Sequence, residues 1–286
     1  NSMQFTTNSS EAMRITSGGK VGIGESSPSG KLHITDGDGQ VSTGVYITNE
    51  RNANNNNYLR FRKARQASGT DHTIITSGDY LGQIDFQGCD ATNGYETGAT
   101  IYAITEGTIA SNQIPTNLQF HTENTSGTHA ERMRISADGH IGIGASTPKA
   151  TTHFKMAGNN WEDGLLLEHD SGDTGWNIHP ENDGTNGLWF GYNADTTQAL
   201  TSQSATGVMH LTSSGTVGIG ISTPASDFGF TPLLHLKKDG DIAFVLDNAT
   251  EKFEFAMNND TDVLRLHAGS LSDIISFDAS DGGIGV

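Results

Sequence analysis

Apolar and polar residues alternate over short stretches along the whole chain. No stretch of ten or more residues places apolar side chains at i, i+3, i+4 and i+7. A period of two predicts half-buried β-strands, and the short reach of each run predicts many of them with little or no helix. Such runs lie at Tyr58–Arg62, Ile84–Phe86, Leu118–Phe120 and Trp176–Ile178. Short apolar runs at Ile101–Ile104, Leu165–Leu167 and Leu188–Phe190 read as further strands, and Phe253–Met257 faces Val263–His267 across an Asn/Asp turn as a hairpin.

One pattern occurs three times: MRITSGGKVGIGESSPSGKLHI from Met13, MRISADGHIGIGASTPKATTHF from Met133, and MHLTSSGTVGIG with STP and LHL from Met209. IISFDASDGGIGV at the C-terminus is a truncated fourth copy with one extra residue in its turn. Gly22, Gly142 and Gly218 are unequally spaced. A solenoid requires a fixed period, so these copies are recurring joints with variable inserts between them. Upstream, Met3-Gln4-Phe5, Leu118-Gln119-Phe120 and Leu188-Trp189-Phe190 match as well.

Within a copy, Gly18-Gly19, Asp138-Gly139 and Ser214-Gly215 supply a tight turn with positive φ. Val21, Ile23, Ile141, Ile143, Val217 and Ile219 then share one face of a short strand. The other face carries the glycines, and Gly22, Gly24, Gly142, Gly144, Gly218 and Gly220 are expected where another backbone passes too close for a Cβ. Pro28, Pro148 and Pro224 end the ladder. An isolated hairpin is marginal in water, so several chains meeting at the Val/Ile face would form a thin core along an axis. A charge at the variable position Lys20 should be nearly silent there.

The expected organisation is a partial module with the first joint (1–36), a large β knob (37–130), a second joint (131–156), a knob (157–207), a third joint (208–238), a small knob (239–272) and a truncated joint (273–286). Inserts of this size sit where a lone core is marginal, which favours oligomerisation.

Composition agrees. The 36 glycines exceed average usage of about 7%, and charged residues at 17% fall below the usual figure of about 25%. The net charge of −17 repels nucleic acid and anionic membrane surfaces. A single cysteine, Cys89, excludes intrachain disulfides. No apolar run approaches 18 residues, so no helical membrane insertion is expected.

ERMRIS, DG, IGIG and STP across residues 131–148 resemble the recurring signature of bacteriophage and prophage tail-fibre proteins. Tyr80–Phe86 and Ala99–Ala103 are similar to the knobs of the same family. The resemblance implies an elongated all-β homotrimer on the virion, partnered by other tail or baseplate proteins and by a bacterial surface glycan or outer-membrane receptor. Members of the family often end in an endosialidase-type chaperone domain, which has no match in these residues. The chain starts inside one module and stops inside another, as a window on a longer fibre would.

No motif for chemistry emerges. The Gly-x-Gly pairs lack the third glycine and the helix of a dinucleotide site, and no phosphate-loop Lys or nucleophile elbow is present. Acidic residues are plentiful, but no carboxylate pair stands out for glycoside cleavage. His33, His153 and His235 recur at matching points. In a trimer they would ring an axial ion only if they faced inward, and alternation turns them outward when their apolar neighbours face in. Asp36 and Asp38 lack the downstream Glu of a calcium loop. No cofactor and no metal are expected.

Arg60, Arg62 and Arg65 belong to a cluster of five among the 16 basic residues and are candidate glycan contacts, though the cluster could as easily pair with acidic neighbours on an adjacent chain. So are Trp161 and Trp189, although with Trp176 and Tyr192 they suit the core of a small knob better. The leading expectation is therefore a structural, non-catalytic fibre segment. A tailspike-type depolymerase would show a long uninterrupted β-helix, and a cellular adhesin a secretion signal or anchor; neither is visible in these residues.

Overall fold

The computed structural model describes residues 1–35, 44–48, 56–66, 72–92, 94–156, 158, 163–169, 174–180, 187–194, 206–221, 224, 234–238, 242–247, 252–258, 263–268, 275–278 and 284–285. Among them there is no α-helix. The chain divides into two compact units, Asn1–Lys63 and Ala64–Val286.

The first unit holds a four-stranded sheet of β1 (Met3–Thr7), β2 (Ser10–Ile15), β3 (Val21–Ile23) and β4 (Leu32–Ile34), in that order. The second unit begins with a two-stranded ribbon, β5 (Arg65–Gln66) and β6 (His72–Thr73). A six-stranded sheet follows, made of β7 (Tyr80–Cys89), β8 (Tyr95–Thr105), β9 (Thr116–Glu123), β10 (His129–Ile135), β11 (Ile141–Ile143) and β12 (Thr152–Phe154). Another six-stranded sheet contains β13 (Leu165–His169), β14 (Thr174–Pro180), β15 (Leu188–Asn193), β16 (Thr206–Leu211), β17 (Val217–Ile219) and β18 (Leu234–Leu236). The last sheet has β19 (Ile242–Asp247), β20 (Lys252–Asn258), β21 (Val263–Ala268), β22 (Ile275–Asp278) and β23 (Ile284–Gly285). Strands neighbour one another in chain order in every sheet. The alternating run at Tyr58–Arg62 forms no strand, because no described segment pairs with it; β5 starts only at Arg65.

The joints are more than hairpins. In each complete copy the hairpin is extended by a third strand running parallel to the second: β3 pairs with β4, β11 with β12 and β17 with β18. The register is the same in all three. Met13, Met133 and Met209 oppose Ile23, Ile143 and Ile219, and Gly22, Gly142 and Gly218 oppose His33, His153 and His235. In the truncated copy, Phe277 opposes Ile284 and Ser276 opposes Gly285. The joints also belong to the sheets of the preceding inserts, since β9 pairs with β10 and β15 with β16. No break in the sheet separates knob from joint.

The turns follow from their chemistry. Of each turn pair only the second residue has positive φ, +69° at Gly19, +81° at Gly139 and +87° at Gly215. The amide of that glycine donates to the carbonyl of Thr16, Ser136 or Thr212. The hydroxyl of the same residue accepts the amide of Lys20, His140 or Thr216. This is a three-residue loop with a left-handed glycine at its end, the common three-residue hairpin geometry.

A candidate self-association face

Strand alternation sorts each sheet into an apolar and a polar face. In the first sheet Met3, Ile15, Val21 and Leu32 lie in one cross-strand row, and Phe5, Met13, Ile23 and Ile34 in the next. In the second, Ile84, Ile101, Phe120, Met133, Ile143 and Phe154 form a row across all six strands. In the third the row is Leu165, Ile178, Phe190, Met209, Ile219 and Leu236.

These rows stay partly exposed, and at one end of the third Ile219 and Leu236 share a cavity with Ile242 and Ala243 of β19. Ile23, Ile143 and Ile219 are 41%, 40% and 41% exposed, Phe154 47% and Leu32 59%. Val21, Ile141 and Val217 are half-buried by their neighbours in the sheet. Trp176 and Tyr192 sit on the same apolar face, both exposed, with ring centroids 5.7 Å apart. The described hydrophobic residues that are buried are Ile75, Ala145 and Trp189, and all but Trp189 lie outside the strands. Contiguous apolar surface of this kind marks an interaction face.

The opposite face explains the glycines. The connection from β3 to β4 must cross the sheet, and residues 24–31 do so in less than the dozen or more residues usual for a parallel connection. It fits by lying flat on the sheet. A Cβ at Gly22 would fall 2.0 Å from the Glu25 carbonyl oxygen, and one at Gly142 would fall 2.2 Å from that of Ala145 and 2.9 Å from Pro148 Cγ. At Gly218 the distances are 2.7 Å to Ile221 O and 2.7 Å to Pro224 Cγ. The backbone passing close is thus the chain's own crossover. Gly24, Gly144 and Gly220 have φ near +70° and face the carbonyls of Thr35, Lys155 and Lys237. Their amides donate to Ala12, Arg132 and Val208, the bulged residues of β2, β10 and β16.

His33, His153 and His235 lie on this glycine face, half-buried, away from the Val/Ile rows. His33 Nδ1 and His153 Nδ1 accept weak contacts from the amides of Ser29 and Lys149, at 3.5 and 3.4 Å, and so rest against the crossover. Lys20 also holds it: its Nζ donates to the carbonyls of Pro28 and Ser29 at 2.9 and 3.1 Å. Lys20 is therefore not a silent position.

The bulges place residues three apart on one face. Arg14 makes a two-pronged pair with Glu11 at 2.6 Å, and Arg134 repeats it with Glu131 at 2.7 and 2.6 Å. That pairing raises the pKa of both arginines. In the third copy the equivalent residues change together. Trp189 replaces Gln119, His210 replaces Arg134 and Gly207 replaces Glu131. The Trp189 and His210 rings stack at 4.3 Å, and a Cβ at Gly207 would meet Trp189 Cζ3 at 2.4 Å. Sequence pattern alone did not reveal this exchange, although the aligned copies contain it.

The candidate glycan residues fare unevenly. Trp189 is only 8% exposed and stacked on His210, so it presents no face to a sugar. Arg65 is engaged by Asp79 at 2.7 and 2.8 Å. Arg60 sits 4.5 Å over the Tyr58 ring, and Arg62 is exposed. Trp161, Asp36 and Asp38 lie outside the described residues. Among the described residues no three His, Cys, Asp or Glu side chains are placed to hold a metal ion.

The polar face of the second sheet carries His121, whose pKa is lowered chiefly by burial. Glu131 opposes that shift; His129, Arg134 and Arg132 add to it. Such a histidine binds its proton better when unfolded, so stability falls as pH drops through the unfolded value of about 6.5 and levels off below the folded one. Thermal melts at about pH 7.5 and pH 5.5 should show the lower midpoint at acid pH, with a smaller difference in His121→Gln. Equal differences in the two proteins would mean that His121 does not carry the effect.

No family model matches the chain, and no curated protein does. Among solved structures, the carboxy-terminal domain of the bacteriophage T5 L-shaped tail fibre is similar at 11% identity and a TM-score of 0.29, over 65% of this chain and 92% of that one. A score that low establishes no common fold.

Proposed function

We propose that this protein is a structural, non-catalytic segment of a phage tail fibre, which assembles as a homotrimer and presents or spaces elements that meet the host surface. The observation that carries the self-association is the set of partly exposed apolar rows, in which an isoleucine at one register position is about equally exposed in three separate joints. Closing three such faces around an axis removes them from water at about 25 cal/mol per Å2 of apolar surface. The polar faces then turn outward. The virion setting rests on the resemblance of the repeated joint to tail-fibre modules, and other tail or baseplate proteins are the further partners it implies.

Multi-angle light scattering of the folded chain should give three times the mass of one chain. Incubation with host capsule or lipopolysaccharide should release no reducing sugar. A stable, folded monomer would defeat the assembly, and oligosaccharide release abolished by changing one carboxylate would defeat the non-catalytic reading.

A further inference from the structure

The second sheet carries a row of rings on its polar face that self-association leaves unexplained. Tyr80 on β7, Tyr102 on β8, His121 on β9 and His129 on β10 follow one another at centroid distances of 5.3, 4.9 and 5.4 Å. They lie opposite the Ile84, Ile101 and Phe120 row, on the side that assembly through the apolar face leaves in solvent. Tyr80 is 53% exposed. Beside the row, Asp85 accepts from the Gln83 side-chain amide at 2.7 Å and from the Thr100 hydroxyl at 3.0 Å.

Groups beneath the surface hold this arrangement. Thr100 is 1% exposed and also contacts His129 Nε2 at 3.4 Å. Gln119, 7% exposed, bonds His121 Nε2 at 3.0 Å and donates to Asn117 at 2.9 Å. Polar side chains are therefore spent on orienting the rings and the carboxylate.

We infer that the polar face of β7–β10 is a binding platform for a neutral carbohydrate, with the exposed Tyr80, held at 70° to the Tyr102 ring, taking the apolar face of a sugar ring and Asp85 with Gln83 taking its hydroxyls. Aromatic rings bury the C–H face of a pyranose, and a carboxylate beside an amide offers an acceptor and a donor to neighbouring hydroxyls. Charge selects against an acidic polymer. The chain carries −17, Asp85 is anionic, and the guanidinium of Arg134 is neutralised by Glu131. The inference rests on the reading of the protein as a host-contacting fibre and assigns that contact to one sheet.

Isothermal titration of the whole chain with neutral gluco-, galacto- and manno-oligosaccharides, and with polygalacturonate as the acidic comparator, tests it. At least one neutral oligosaccharide should bind, and Tyr80→Ala and Asp85→Asn should each weaken it tenfold or more at unchanged melting temperature. Tyr102→Phe, which keeps the ring, should retain binding. The inference is overturned if no neutral oligosaccharide binds, if both weakening variants bind like the parent, or if polygalacturonate binds better. Light scattering on the same samples separates the two claims. A trimer that binds no sugar removes the platform alone, and a monomer that binds removes the assembly alone.

Discussion

Gly142→Ala should disrupt the second joint, with a loss greater than about 3 kcal/mol, beyond the usual cost of about 1–3 kcal/mol for an overpacked site. The added methyl would meet the Ala145 carbonyl oxygen at 2.2 Å, and that oxygen belongs to backbone, which cannot swing aside as a flexible side chain does. Relief requires the crossover to lift from the sheet. Lifting it strains the bonds that pin its ends, Gly144 N to Arg132 O at 2.9 Å and Ile141 N to Thr151 O at 2.8 Å. Gly139→Ala is the informative comparison. Gly139 has φ of +81°, and a methyl there would meet nothing within 4 Å, so only the left-handed backbone is penalised, at about 1–2 kcal/mol. Denaturant melts of the two variants should show the Gly142 loss clearly exceeding the Gly139 loss. Equal losses would mean that conformation, not space, selects the joint glycines.

Ile143→Asp tests the opposite face. In a lone chain Ile143 is 40% exposed, so a carboxylate there would be solvated and the cost small. In the proposed trimer, three carboxylates would be brought together out of water, and burying unpaired like charges costs several kcal/mol. The variant should therefore lose trimer mass at concentrations where the parent holds it, and melt at a lower, concentration-dependent temperature. Lys149→Asp, on an exposed crossover residue, makes a larger change in charge and should stay within about 0.5 kcal/mol of the parent. If both variants keep the parent's mass and melting temperature, the Val/Ile rows are not the assembly core.

Much of this architecture was legible in the chain itself. Alternation located the strands around Ile84, Leu118 and Trp176, because a side chain's face in a strand depends only on whether its position is odd or even. The three aligned copies also specified a common turn, since a loop closed by a left-handed glycine needs glycine at that place. Local pattern stopped there. Tyr58–Arg62 alternates as well as any strand, yet a strand exists only when a partner pairs with it, and pairing is not a local property.

The same limit hid the candidate surfaces. The alternation of Val21, Gly22 and Ile23 showed that one face had to be bare, but not that the chain's own crossover, held by Lys20 and resting on His33, would lie across it. The sequence suited Trp189 to a knob core, but did not show that His210 on β16 would stack on it with Gly207 making room. Tyr80, Tyr102, His121 and His129 are scattered over four strands, and only cross-strand register sets them in one row. Most strand positions, the turns and the apolar face of each strand could be read along the chain, because those properties follow from sequence neighbours. The parallel third strand, the covered glycine face and the assembled ring row emerged only on folding, because each depends on contacts between residues that no local period links.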